Sequence, residues 1–179
     1  MRPRFHDLVV GRWGARFMGR RFVCSVGKGG ITRDKREGDG ATPVGEMRLV
    51  GSAYRADRIA RPLPLRPKGF RMAAIRPADI WSDDPDDPDY NHGLNTRHCA
   101  GSHERMRRGD VLYDIVVMTD WNWPVAEPGR GSAIFVHIWK GPRKPTAGCV
   151  AFRRRDLIWI MRRWSPRSRM IIQPPAVSP

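Results

Sequence analysis

No stretch of this 179-residue chain is apolar for long enough to cross a bilayer, which excludes a helical membrane span. The first residues, Met1-Arg2-Pro3-Arg4-Phe5-His6-Asp7, have charge but neither an apolar segment nor a small-residue cleavage site, so no secretory signal is visible. A cytoplasmic protein, export by another route and a leader outside this sequence all stay open. Cysteine is scarce: Cys24, Cys99 and Cys149 are the only three. An odd count excludes a complete intrachain disulfide framework. None falls in a C-x-x-C pair, which argues against structural zinc. Acid is in short supply, with 18 Asp and Glu against 33 Lys and Arg, a net charge of +15. That balance suits a polyanionic neighbour such as nucleic acid, anionic lipid or carboxylate-rich cell wall. No zinc-finger spacing or RNA-binding signature accompanies it, so no obligatory nucleic-acid partner is expected.

What is present points to strands and turns. Gly (18) and Pro (16) are frequent enough to favour short strands over a helical bundle. Leu8–Val10, Arg16–Met18 and Phe22–Val26 read as a strand meander broken at Gly11, Gly14 and Gly19. Residues 27–45 read as a glycine-rich charged loop ending in Thr42-Pro43-Val44-Gly45, followed by a strand over Met47–Val50. Arg61–Pro67, with three prolines, cannot be regular structure. Asp83–Asp89 is an acidic loop, whereas Val111–Thr119 and Ser132–Trp139 are strand-like. The period then changes. Leu157, Ile160, Met161 and Trp164 recur at helical spacing, and Arg169–Gln173 reads as a closing strand. The expected architecture is one mainly β domain with a late α-helix over residues 1–173, then a frayed tail over 174–179. It is expected to be a monomer.

The chemistry concentrates in one place. His137 lies within an apolar strand and Cys149 follows it by 12 residues, with two glycines and two prolines between. Such a turn lets the chain fold back and set the thiol beside the imidazole. A nearby imidazole can take the thiol proton, and a following helix N-terminus would lower the thiol pKa. Gly148 permits close approach to the backbone, and amides around Cys149 are candidates to hold an oxyanion. The plain alternative is a core histidine beside a buried cysteine.

Thr146-Ala147-Gly148-Cys149-Val150, after a strand-borne His137, resembles the signature of the L,D-transpeptidase catalytic domain family, of YkuD type. Thr42-Pro43-Val44-Gly45-Glu46-Met47 is similar to that family's upstream Thr-Pro-x-Gly segment, in the family's order. The resemblance implies a mixed β-sandwich and two-step acyl transfer on peptidoglycan stem peptides, in the periplasm or cell wall. It implies Cys149 as nucleophile, His137 as base and Gly148 with Cys149 as the oxyanion backbone, with no metal and no organic cofactor. Two departures mark a divergent subgroup: Ala147 stands where the commonest pattern has histidine, and Ile138 where it has Gly or Ser. Trp81-Ser82-Asp83-Asp84-Pro85, Asp89-Tyr90-Asn91 and Ser102-His103-Glu104 resemble segments of that subgroup. Trp81, Tyr90, His103, Thr146 and Trp139 are therefore expected to contact substrate.

Other features carry less. His92, His98, Cys99 and His103 are close in sequence but fit no metal-ligand spacing. The acidic loop lacks the glycine of a calcium loop. Val26-Gly27-Lys28-Gly29-Gly30 lacks the full phosphate-loop pattern. Arginines at 153–155, 162 and 163 form a basic helix face, read as solvated. Two rivals stand beside acyl transfer to an amine: hydrolysis by the same residues, as a carboxypeptidase or amidase, and a basic binding module with an inert cysteine.

Overall fold

Two bends marked by three glycines turn the first strands back on themselves, as the meander reading requires. β1 (Leu8–Gly11), β2 (Gly14–Phe17) and β3 (Arg20–Phe22) pair antiparallel in sequence order. Gly14 has a φ of +149°, and a Cβ there would sit 2.6 Å from the Phe22 carbonyl oxygen, so the turn demands glycine. The computed structural model describes residues 2–59, 72–98 and 100–175. The proline-rich Arg61–Pro67, Cys99 and residues 176–179 lie outside the described residues.

The remaining strands are β4 (Cys24–Ser25), β5 (Ile31–Thr32), β6 (Thr42–Pro43), β7 (Gly45–Met47), β8 (Leu49–Tyr54), β9 (Met72–Ala74), β10 (Asp79–Ser82), β11 (Gly93–Asn95), β12 (His103–Arg105), β13 (Ile115–Thr119), β14 (Phe135–Ile138), β15 (Val150–Phe152) and β16 (Met170–Ile172). A helix, α1 (Arg154–Arg163), precedes the last strand. One sheet has the order β3-β2-β1-β16-β7 and a second the order β4-β15-β14-β13-β8-β9. A smaller sheet, β11-β10-β12, and the pair β5-β6 complete the described strands. The result is a mainly β sandwich with one late helix, in agreement with the sequence reading.

Residue alternation explains why the six-stranded sheet has two different faces. Ile115, Val117, Val136, Ile138, Val150 and Phe152 point into the principal core, against Leu8, Val10, Phe17 and Met170 of the other sheet and Leu157, Ile160 and Met161 of the helix. Val116, Phe135 and Cys149 occupy the opposite face, in a second cluster with Tyr113, Ile75 and Met106. The edge of Trp81, from the small sheet, packs on Phe135 at 4.9 Å. These short strands thus supply the principal core on one side and the second cluster on the other.

Several boundaries differ from the sequence reading, for physical reasons. Val111–Thr119 is strand only from Ile115. Asp110 caps a turn by accepting the Leu112 amide, and Asp114 is buried against Arg58 and Arg154. Ser132–Trp139 is strand only over Phe135–Ile138, because Ala133 takes a left-handed φ of +49°. Phe22–Val26 divides between two sheets. The loop over 27–45 contains β5 and β6, which pair in parallel and place Thr42 in the interior. The helix follows its expected pattern, with Asp156 in its first turn and Arg162 and Arg163 in its last, which complements the helix dipole. The closing strand lies parallel to β1. Beside it Arg169 donates to both oxygens of buried Asp7, at 3.1 and 2.6 Å, and to Glu46 at 2.8 Å.

Candidate active site

Strand register brings the two candidate side chains to one face. β14 and β15 run parallel, with Val136 opposite Val150 and His137 opposite Ala151. Cys149 therefore lies across from Phe135, and the Phe135 amide donates to its sulfur at 3.4 Å. Residues 135, 137, 149 and 151 share one face of the sheet. Strands about 4.8 Å apart with a two-residue offset put the Cys149 and His137 Cα atoms about 8 Å from each other. Both side chains line one cavity of about 270 Å³.

Each group is held by backbone. The Cys149 thiol donates to the Ala133 carbonyl at 3.1 Å. His137 Nδ1 is 2.8 Å from the carbonyl of Ile138, which makes Nδ1 the protonated nitrogen and leaves the Nε2 lone pair as the basic site. The His137 ring stands edge-on to Tyr113 at 5.3 Å. Burial sets the protonation states. It lowers the His137 pKa to about 4, helped by the Arg108 charge, and raises that of Cys149 to about 12. At neutral pH the pair is a neutral imidazole and a neutral thiol. The expected helix-dipole activation does not apply. β15 separates Cys149 from the helix, which starts at Arg154, whereas a helix dipole acts mainly within its own first turn.

The segment before the cysteine is fastened at both ends. Thr146 donates its hydroxyl to the Cys149 carbonyl at 2.6 Å and accepts the Gly148 amide at 3.2 Å. Its backbone bonds to Val26 and Lys28. Thr42, fully buried, donates to the Gly148 carbonyl at 2.7 Å and accepts the Gly27 amide at 2.9 Å. Gly148 has a φ of +144°, and a Cβ would meet the Ala41 carbonyl oxygen at 3.0 Å. The two sequence motifs, 106 residues apart at Thr42 and Gly148, are thus one hydrogen-bonded unit.

This arrangement alters three expectations. The Gly148 amide is spent on Thr146, so glycine is needed there for conformation. The Cys149 amide makes no turn or side-chain hydrogen bond among the described residues, and it remains the oxyanion donor candidate. The Thr146 hydroxyl is likewise engaged inside its own loop, although the residue lines the cavity. Trp81, Tyr90, His103 and Trp139 do not line it. Trp81 and Tyr90 hold neighbouring segments instead. The indole of Trp81 donates to Asn91, and the Tyr90 hydroxyl donates to Glu37 at 2.6 Å. His103 bonds locally to the Gly101 carbonyl.

The lining contains residues that sequence reasoning missed. Glu104 neighbours His103 on β12, and alternation turns one of the two toward the cavity. Arg108 donates to Glu104 at 2.6 Å and covers the Tyr113 ring at 5.1 Å. Asp83, Lys140 and Lys144 add charge of both signs to the wall. Asp83 and Glu104 belong to segments already singled out, but Arg108 and Tyr113 carry no motif. No group of three or more His, Cys, Asp or Glu that could hold a metal occurs among the described residues. Two acids of the 83–89 loop, Asp84 and Asp87, serve turns by accepting the amides of Asp86 and Asp89.

A family model described as the L,D-transpeptidase catalytic domain (YkuD) matches residues 10–172. No curated protein and no solved structure matches the chain.

Proposed function

Because the chain belongs to the L,D-transpeptidase catalytic domain family, we propose that it joins or exchanges peptidoglycan stem peptides through a thioester on Cys149. The observation that carries this reading is the placement of Cys149 and His137 on one sheet face in one cavity, with the Thr42–Gly148 bond beneath them. The thiol swings from Ala133 to His137, whose Nε2 takes its proton as sulfur attacks the carbonyl carbon of a diamino acid in the donor stem. The Cys149 amide receives the oxyanion. Collapse breaks the C–N bond, His137 returns the proton to the leaving D-amino acid, and the thioester remains. An acceptor amine then attacks it, yields its proton to His137 and releases sulfur, which is reprotonated. The polymer lies outside the cytoplasmic membrane, so the proposed place of action is the periplasm or cell wall.

Incubation with purified muropeptides, read by mass, tests this. Cross-linked dimers or exchanged D-amino acids are expected from the native protein and not from Cys149→Ala. Shortened monomers alone would mean that water resolves the thioester, a hydrolase. No product of either kind would overturn the enzymatic reading.

A further inference from the structure

Ala133 is an unusual residue to find at a reactive cysteine. It has a Cβ, yet its φ is +49°, a conformation that costs a non-glycine residue about 1–2 kcal/mol. Its carbonyl accepts the Cys149 thiol hydrogen at 3.1 Å. Its amide donates to the Asn91 side-chain oxygen at 3.0 Å. That oxygen also accepts the Trp81 indole at 3.0 Å, while the Asn91 amide nitrogen donates to the carbonyls of Trp121 at 3.0 Å and Asn122 at 2.7 Å. All four hydrogen-bonding positions of the amide are filled, and the residue is 2% exposed. Asn91 itself has a φ of +60°. It joins three elements, β10, the 121–122 turn and the strand-like lead into β14, at the point where the last of these meets the sulfur.

We propose that Asn91 is a positioning residue for Cys149: by holding the Ala133 amide it fixes the carbonyl that takes the S–H, and so sets where the thiol waits relative to His137. The physical argument is directional. A carbonyl oxygen that accepts the thiol hydrogen stabilises the protonated sulfur, keeps it inert at rest and aims it along one line. Without the Asn91 bond, Ala133 has no reason to stay in a left-handed conformation, and its carbonyl turns away. The sulfur then loses the dipole that favours S–H and also the anchor for its approach to His137. The charged groups that reach the sulfur, Glu104, Lys35 and Arg108, are not altered by a change at Asn91. Tyr113 and His137, which face the same cavity, also stay as they are.

This role rests on the acyl-transfer reading for its effect on turnover, but not for its effect on the thiol. The test is iodoacetamide labelling of native protein across pH, read at each cysteine by peptide mass, together with turnover on muropeptides. Buried Cys24 serves as the internal reporter of unfolding. Asn91→Gly suits the +60° φ and removes only the side chain. It is expected to label Cys149 about tenfold faster at pH 8, with Cys24 still protected. Its kcat should fall about tenfold while KM stays within about threefold. A native labelling profile at Cys149 with native kcat would overturn the proposal. If Asn91→Gly also exposes Cys24, Ala133→Gly decides, since glycine suits +49° and leaves every partner bonded. Because Asn91 still holds the amide in that variant, native Cys149 labelling is expected there, and faster labelling with Cys24 protected overturns the proposal. Native protein that turns over no muropeptide would sink the acyl-transfer reading while leaving the labelling arm intact.

Discussion

Thr42→Val is expected to lower kcat/KM by about 100-fold or more and to lower the melting temperature by about 5–15 °C. Val keeps the shape of Thr42 and loses only the hydroxyl. That hydroxyl is fully buried between the Gly148 carbonyl and the Gly27 amide, so both backbone groups lose their partner without gaining water. Two unsatisfied buried groups cost about 2–5 kcal/mol together, which gives the melting shift. The catalytic loss has a separate origin. A peptide bond is planar and trans, so the Gly148 carbonyl and the Cys149 amide point in opposite directions. When Thr42 holds the oxygen, it also aims the amide that is proposed to receive the oxyanion. Thr42→Ser keeps the hydroxyl and should retain most of the activity. Steady-state kinetics and thermal melts of the two variants check this. Native kinetics in Thr42→Val would dismiss the link between the motifs.

The second large effect is a dependence on pH set by His137. Its burial lowers the pKa to about 4, against 6.5 for an unburied histidine. Between those values the unfolded chain binds a proton that the folded chain refuses. Stability is therefore full above about pH 6.5 and declines as the pH falls toward 4, by about 3 kcal/mol from this residue alone. Asp7 and Asp39, whose folded carboxyls lie below the usual value of 3.8, lose their contribution only at lower pH, so the two windows separate. Urea melts at about pH 7, 5.5 and 4.5 should show the decline in the native protein and a much flatter response in His137→Gln. The same burial predicts a kcat/KM profile with its acid limb near pH 4, and no alkaline limb from the thiol until the pH approaches 12. An acid limb at 6.5 would mean that the imidazole is solvated in the working enzyme and would reject the neutral-pair description.

Much of this molecule can be read from its residues in order. The glycine-marked meander, the helical spacing of Leu157, Ile160, Met161 and Trp164 and the final strand follow from local pattern, because burial on one face imposes a period that needs no knowledge of the partner. The nearness of His137 and Cys149 is legible in their 12-residue separation, but β14 and β15 run parallel instead of folding back as a hairpin, so the register that puts both side chains on one face comes from the tertiary fold. Strand ends were less legible. Val111 and Ser132 look like strand residues, but a capping Asp110 and a left-handed Ala133 stop the ladders short.

The chain order alone therefore brings forward the candidate groups, a thiol and an imidazole with a glycine beside the thiol, on a mainly β scaffold. Tertiary structure settles how those atoms are held and charged. Burial makes thiol and imidazole neutral, whereas a dipole from the nearby helix would have favoured the thiolate. Long-range bonds from Thr42 to Gly148 and from Asn91 to Ala133 fix the backbone around the sulfur. The same packing withdraws Trp81, Tyr90, His103 and Trp139 from the cavity and admits Arg108 and Tyr113. Local sequence cannot show these things. Desolvation and hydrogen-bond direction depend on what the rest of the chain brings to within a few ångströms, and the residues that do so are 42 to 106 positions away from their partners.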